Sequence, residues 1–191
     1  MARTPSTMLK LGTQAPEFSL LEPASGSQVS LNNFKDSPVL IVFSCNHCPY
    51  VLHIIDSFVS MANSYLDKGL STVWINANDV EHYPDDSPEK MVQLVRDHGF
   101  KFPYLYDQTQ QVAQAYQAAC TPDFFLFDSA HRLVYRGQYD ASRPGNNEPV
   151  TGHDLKLAID ALLAGNPVTE DQLPSLGCNV KWKAGNEPDY V

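Results

Sequence analysis

The sequence predicts an α/β sandwich, a mixed central sheet with helices on both faces, and three observations predict it. Val39–Phe43 and "STVWINAN" (71–78) are continuous apolar runs rich in β-branched residues, as suits strands covered on both sides. Helical apolar stripes follow each of them. Later, "DFFLFD" and "LVYRGQYD" flank a short polar turn and read as an antiparallel hairpin. A strand–helix–strand start followed by a hairpin and a last helix makes the sheet mixed.

The elements follow in order. "APEFSLLEPASGSQVSLNNFK" reads as two short strands around a turn at residues 24–27, with Phe18 and Leu20 alternating on one strand and Val29 and Leu31 on the other. After the first buried strand, positions 50–68 carry Val51, Ile54, Ile55, Phe58, Ala62, Tyr65 and Leu66 at helical spacing, with Gly69 as the stop. Ser87, Pro88 and Glu89 form a helix start, and Met91, Leu94 and Val95 give that helix its buried face. "FPYLYD" predicts a short strand and "QTQQVAQAYQA" a short helix. The hairpin turns at residues 129–132, and "HDLKLAIDALLAG" closes the regular part, with Gly165 as its end. Residues 1–165 are therefore expected to form one domain. Residues 166–191 have no clear periodicity and read as irregular, yet Leu173, Leu176, Cys178, Val180 and Trp182 are apolar enough to pack back on it.

Composition narrows the function classes. The chain has 191 residues, 43% of them hydrophobic, and a formal net charge of −9 with no basic stripe, which argues against a nucleic-acid surface. No apolar run has signal-peptide or transmembrane length, so no membrane partner and a cytoplasmic location are expected. In such a reducing compartment four cysteines are not a structural disulfide framework, and a close pair among them is catalytic or metal-binding.

That pair is Cys45-Asn46-His47-Cys48, where the first buried strand hands over to a helix. A cysteine at a helix N-terminus meets the positive end of the dipole, which favours thiolate. His47 beside it adds positive charge or a hydrogen bond. The reading is that Cys45 attacks, Cys48 resolves the mixed disulfide, and His47 sets how readily the pair is oxidised. A zinc site would need about four ligands, and the remaining cysteines and histidines lack the spacing for one. His131 or His153 could be offered to a delivered metal, but neither sits in a persuasive motif. No metal site and no cofactor are expected. Asp79, Glu81, Asp85 and Asp86 read as a solvated acidic loop near the pair.

With the second stretch, "AACTPDFFLFD", the sequence resembles the thioredoxin superfamily: a CxxC after the first core strand, then a Thr-Pro opening the strand before a hairpin. The resemblance implies a thioredoxin-like three-layer α/β/α sandwich with an N-terminal β-hairpin extension and an irregular C-terminal segment. It also implies a cis Thr121–Pro122 bond facing the CxxC, with the Thr121 backbone open to a substrate strand. The opening segment resembles the redoxin group that holds alkyl hydroperoxide reductases and thiol-specific antioxidants (AhpC/TSA). The implied activity is thiol–disulfide exchange on a disulfide-bearing protein or small-thiol substrate, fed by an unidentified electron donor. The peroxidase branch has a Pro and a Thr where aligning Cys48-Pro49 puts Ile41 and Cys45, so peroxide reduction, aided by Arg136 or Arg143, stands second. Cys120 and Cys178 are accessory thiols that could pair with each other, or small buried hydrophobes. Asp123 is a candidate proton acceptor for the dithiol.

Overall fold

The computed structural model describes residues 3–190. Ten strands and four α-helices run in the order β1 (Arg3–Pro5), β2 (Ser19–Glu22), β3 (Ser27–Ser30), β4 (Val39–Phe43), α1 (Pro49–Leu66), β5 (Ser71–Asn76), α2 (Pro88–His98), β6 (Tyr104–Tyr106), α3 (Gln111–Ala115), β7 (Cys120–Thr121), β8 (Asp123–Phe127), β9 (Leu133–Tyr135), α4 (His153–Leu163) and β10 (Leu176–Asn179). The main sheet has the order β3-β2-β6-β5-β4-β8-β9. Its centre is parallel, β4 with β5 and β5 with β6, and its flanks are antiparallel. This is the expected mixed sandwich. Every residue of β4 and β8 is buried, as a strand covered on both faces requires.

The two faces of the sheet make two cores. Leu40, Val42, Trp74 and Phe124 pack with Val51, Ile55 and Phe58 of α1 on one side. Val39, Ile41, Phe43, Ile75 and Phe125 pack with Ala113 and Tyr116 on the other. The strand period of two sorts each run between those layers. Helix signals hold as well: Ser87 accepts from the Lys90 amide and caps α2, and Gly99, at φ 67°, ends it.

Two elements depart from the sequence reading. The chain start supplies β1, and the segment read as irregular supplies β10. Together with β7 they form a second, three-stranded antiparallel sheet in the order β1-β10-β7. The final segment is thus woven into the fold: the Lys181 carbonyl accepts from Asp79 N at 2.8 Å, and Lys181 N donates to Asn78 Oδ1 at 2.9 Å. Loop 77–79 and the segment after β10 are locked together by these bonds.

Candidate active site

Pro49 is the first residue of α1 and Cys48 its N-cap, because a proline without an amide proton fits where helix amides have no partner. Cys45 therefore lies upstream of the helix, just past β4. The helix dipole thus falls on Cys48 rather than on Cys45. The Thr121–Pro122 bond is cis, as the resemblance implied, and it faces both sulfurs. Cys45 Sγ lies 3.4 Å from Thr121 Oγ1, and in its thiol form Cys48 donates to the Thr121 carbonyl at 3.1 Å.

The two thiols are driven apart. Burial pushes Cys45 well above its ordinary value, helped by Cys48 and by the negative charge of Asp86. Cys48 is lowered to about 5, first by the Cys45 thiol as donor and then, against the cost of burial, by the Cys178 thiol and Thr121. The surroundings favour the thiolate at Cys48 and the thiol at Cys45. Both side chains are nevertheless covered, at 1% and 0% exposure.

The loop between the cysteines hangs on Asp86. Its Oδ1 accepts from Asn46 N at 2.7 Å, its Oδ2 from Asn78 Nδ2 at 2.7 Å, and its carbonyl from Asn76 Nδ2 at 2.7 Å. Tyr104 Oη donates to Asn46 Oδ1 at 3.0 Å. Asp86 is fully buried, so the acidic stretch is not uniformly the solvated loop that its charges suggested. His47 Nδ1 stands 2.8 Å from Asp86 Oδ2, off the line of a regular hydrogen bond, and its ring stacks on Tyr83 at 5.8 Å. The strongest influences on both thiols come from groups other than His47.

The match to known proteins decides the family. The AhpC/TSA family profile covers residues 11–136. The chain belongs to the AhpC/TSA family. Thiol-disulfide oxidoreductase ResA of Bacillus subtilis is 26% identical over 129 residues, 64% of this chain and 64% of that protein. A crystal structure of an uncharacterized conserved protein from Geobacillus kaustophilus is 53% identical with a TM-score of 0.94, covering 96% of this chain and 97% of that one. A thioredoxin-family thiol:disulfide interchange protein from Chlorobium tepidum has a TM-score of 0.62 at 16% identity, over 81% and 98% of the two chains. The last likeness establishes the thioredoxin-like fold.

In this AhpC/TSA chain the remaining residues fall out as follows. The backbone of Thr121, expected to be open to a substrate strand, is paired with β10: Cys178 lies opposite Thr121, and Asn179 opposite Cys120. Cys178 packs in the same buried cluster as Cys45 and Cys48. Cys120 turns to the Pro122 carbonyl at 3.6 Å. Cys120 and Cys178 thus project from opposite faces of the strand pair. Asp123 is fully buried beside Pro122, and burial raises its carboxyl to about 7. Arg136 is bonded to Gln172, and Arg143 to the Asp140 and Ser142 carbonyls.

One donor set escaped the sequence reading. Atoms of Cys45, His47 and Asp86 lie within 4.8 Å of one another and could hold a metal ion. Its thiolate, imidazole and carboxylate donors suit zinc, although three ligands leave a position open. His131 is engaged with the Phe34 carbonyl at 3.1 Å, and neither it nor His153 belongs to the set. Spacing rules could not find Asp86, which arrives from a separate loop. No helix among the described residues is long and apolar enough to cross a membrane.

Proposed function

We propose that the protein is a thiol–disulfide oxidoreductase in which Cys48 attacks and Cys45 resolves. The observation that carries this reading is the pairing of a low-pKa N-cap cysteine with a protonated cysteine three residues upstream, both against Thr121. The Cys48 thiolate attacks a substrate disulfide, forms a mixed disulfide and releases one thiolate. Cys45 then loses its proton, attacks Cys48 Sγ and expels the second thiolate. Two electrons pass from the pair to the substrate, leaving a Cys45–Cys48 disulfide. A donor thiol reverses these steps.

A disulfide-bearing protein or small thiol as substrate, a separate electron donor and a cytoplasmic setting belong to this proposal. Because both sulfurs are covered, substrate reaches them only when their cover shifts. The relatives named as thiol–disulfide oxidoreductases support the reaction class. The test is the reduction potential of the pair in glutathione buffers with thiol counting. A reversible two-electron couple lost in both C45S and C48S is expected. Its absence would sink the reading.

Cys48 also favours a second reading, hydroperoxide reduction. It precedes a proline at a helix start and ionises early, as an attacking sulfur toward peroxide requires. Peroxide consumption coupled to a dithiol, with sulfenic acid trapped at Cys48 in C45S, would favour it.

A further inference from the structure

Cys178 is held at the active site by backbone geometry. It sits directly opposite Thr121 in an antiparallel pair, and residues so placed project from the same face of a sheet. The Thr121 side chain on that face touches Cys45 Sγ. Cys120 and Asn179, the next pair along, use the other face. The residue before Cys178 sets how closely the strand lies. A Cβ on Gly177 would come within 2.0 Å of the Thr121 carbonyl oxygen and 2.6 Å of its carbon, so only glycine permits this approach. Cys178 is 2% exposed and packs in the same cluster as Cys45 and Cys48.

We propose that Cys178 is a third redox thiol of the site, forming a reversible disulfide with Cys48. The chain's own cysteine-bearing strand occupies the edge of Thr121 and presents a sulfur to the attacking cysteine, as a docked substrate strand would. The proposal rests on the thiol–disulfide reading above. Burial, with the neighbouring Cys48, pushes the Cys178 thiol up to about 12.

Starting from a Cys48 mixed disulfide with a small thiol, Cys178 transfers its proton to solvent and attacks Cys48 Sγ. The Cys48–Cys178 bond forms, the bond to the small thiol breaks, and that thiol leaves as thiolate. Two protein thiols are oxidised and one small-molecule disulfide is reduced to two thiols. Cys45 can then attack Cys48 Sγ in turn, forming Cys45–Cys48 and returning Cys178 to its thiol, with no net electron change.

Tryptic peptides separate the partners: Cys45 and Cys48 lie in 36–68, Cys120 in 102–132 and Cys178 in 157–181. Full-length wild type and C45S are equilibrated with oxidised and reduced glutathione, alkylated in denaturant and mapped by mass spectrometry. C45A replaces C45S if circular dichroism shows that C45S is unfolded. The expected result in the Cys45 variant is a link between 36–68 and 157–181. Excess reduced glutathione should remove it, and adding C178S should abolish it. If Cys48 stops at the glutathione adduct while Cys178 stays alkylatable, or links to 102–132, the proposal is overturned. Where wild type still forms Cys45–Cys48, the exchange reading survives that failure. No Cys45–Cys48 bond in wild type and no link in the variant would remove both.

Discussion

Cys48 Sγ lies 3.1 Å from the carbonyl oxygen of Thr121, a residue 73 positions away on the strand before the cis proline. That contact joins the helix start to the neighbouring strand and puts Cys48 beside the Thr121 hydroxyl and the Cys45 thiol. With Cys48 lowered to about 5, its alkylation rate should climb through pH 5 and level off before pH 7. The same profile should persist in C45S, shifted upward because the strongest donor is gone. C48S should react only at high pH, through the thiol that burial keeps protonated. A wild-type profile that climbs only above pH 8 would reverse the assignment of roles.

After burial and Cys48, Asp86 adds to the rise of the Cys45 thiol, and it holds the loop between the cysteines. Its charge raises Cys45, so D86N in a C48S background should move Cys45 alkylation to lower pH. D86A should cost more in stability, since Asn46 N and Asn78 Nδ2 would lose their acceptor, at about 1–3 kcal/mol for each buried group. Urea unfolding of both variants measures that difference. Equal stabilities for D86N and D86A would mean that the carboxylate oxygens do not hold the loop.

These residues show where sequence legibility ended. Val39–Phe43, the stripe of α1 and the Ser87 cap were readable because each signal is local: an apolar run, a 3.6-residue period, a capping oxygen. The cysteine pair was readable by residue type, and the cis proline by family resemblance. Pro49 already carried the signal that makes Cys48 the N-cap, although the expected attacker was Cys45, placed nearer the helix start. Asp86 could not be singled out, because its role depends on partners 8 and 40 residues away in other loops. Strands β1 and β10 were hidden for the same reason. They are three and four residues long, and their pairing joins the two ends of the chain.

Gly177 makes that hidden pairing close, and a methyl group there tests it. G177A has no room against the Thr121 peptide, which is backbone and cannot rotate away. Overpacking costs roughly 1–3 kcal/mol, and a rigid neighbour puts this site at the upper end. Thermal unfolding should fall accordingly. If the variant stays folded, β10 must stand off from β7, and Cys48 should alkylate faster than in wild type. A stable variant with unchanged Cys48 reactivity would show that β10 does not cover the site.

Asp123 gives the protein a pH dependence of the less common sign. Its carboxyl is wholly buried and raised to about 7, against about 3.9 in an unfolded chain. Between those values the unfolded state has lost this proton and the folded state keeps it, so rising pH favours unfolding until about pH 7. Three pH units correspond to about 4 kcal/mol as an upper bound. D123N removes that dependence while keeping an oxygen for the Ala119 amide, which donates to Asp123 Oδ2 at 3.2 Å. The stability of D123N relative to wild type should therefore grow from pH 4.5 to pH 7.5 in urea unfolding, other groups cancelling in the difference. Parallel curves would mean that Asp123 is ionised in the folded protein across this range and that burial does not raise its carboxyl.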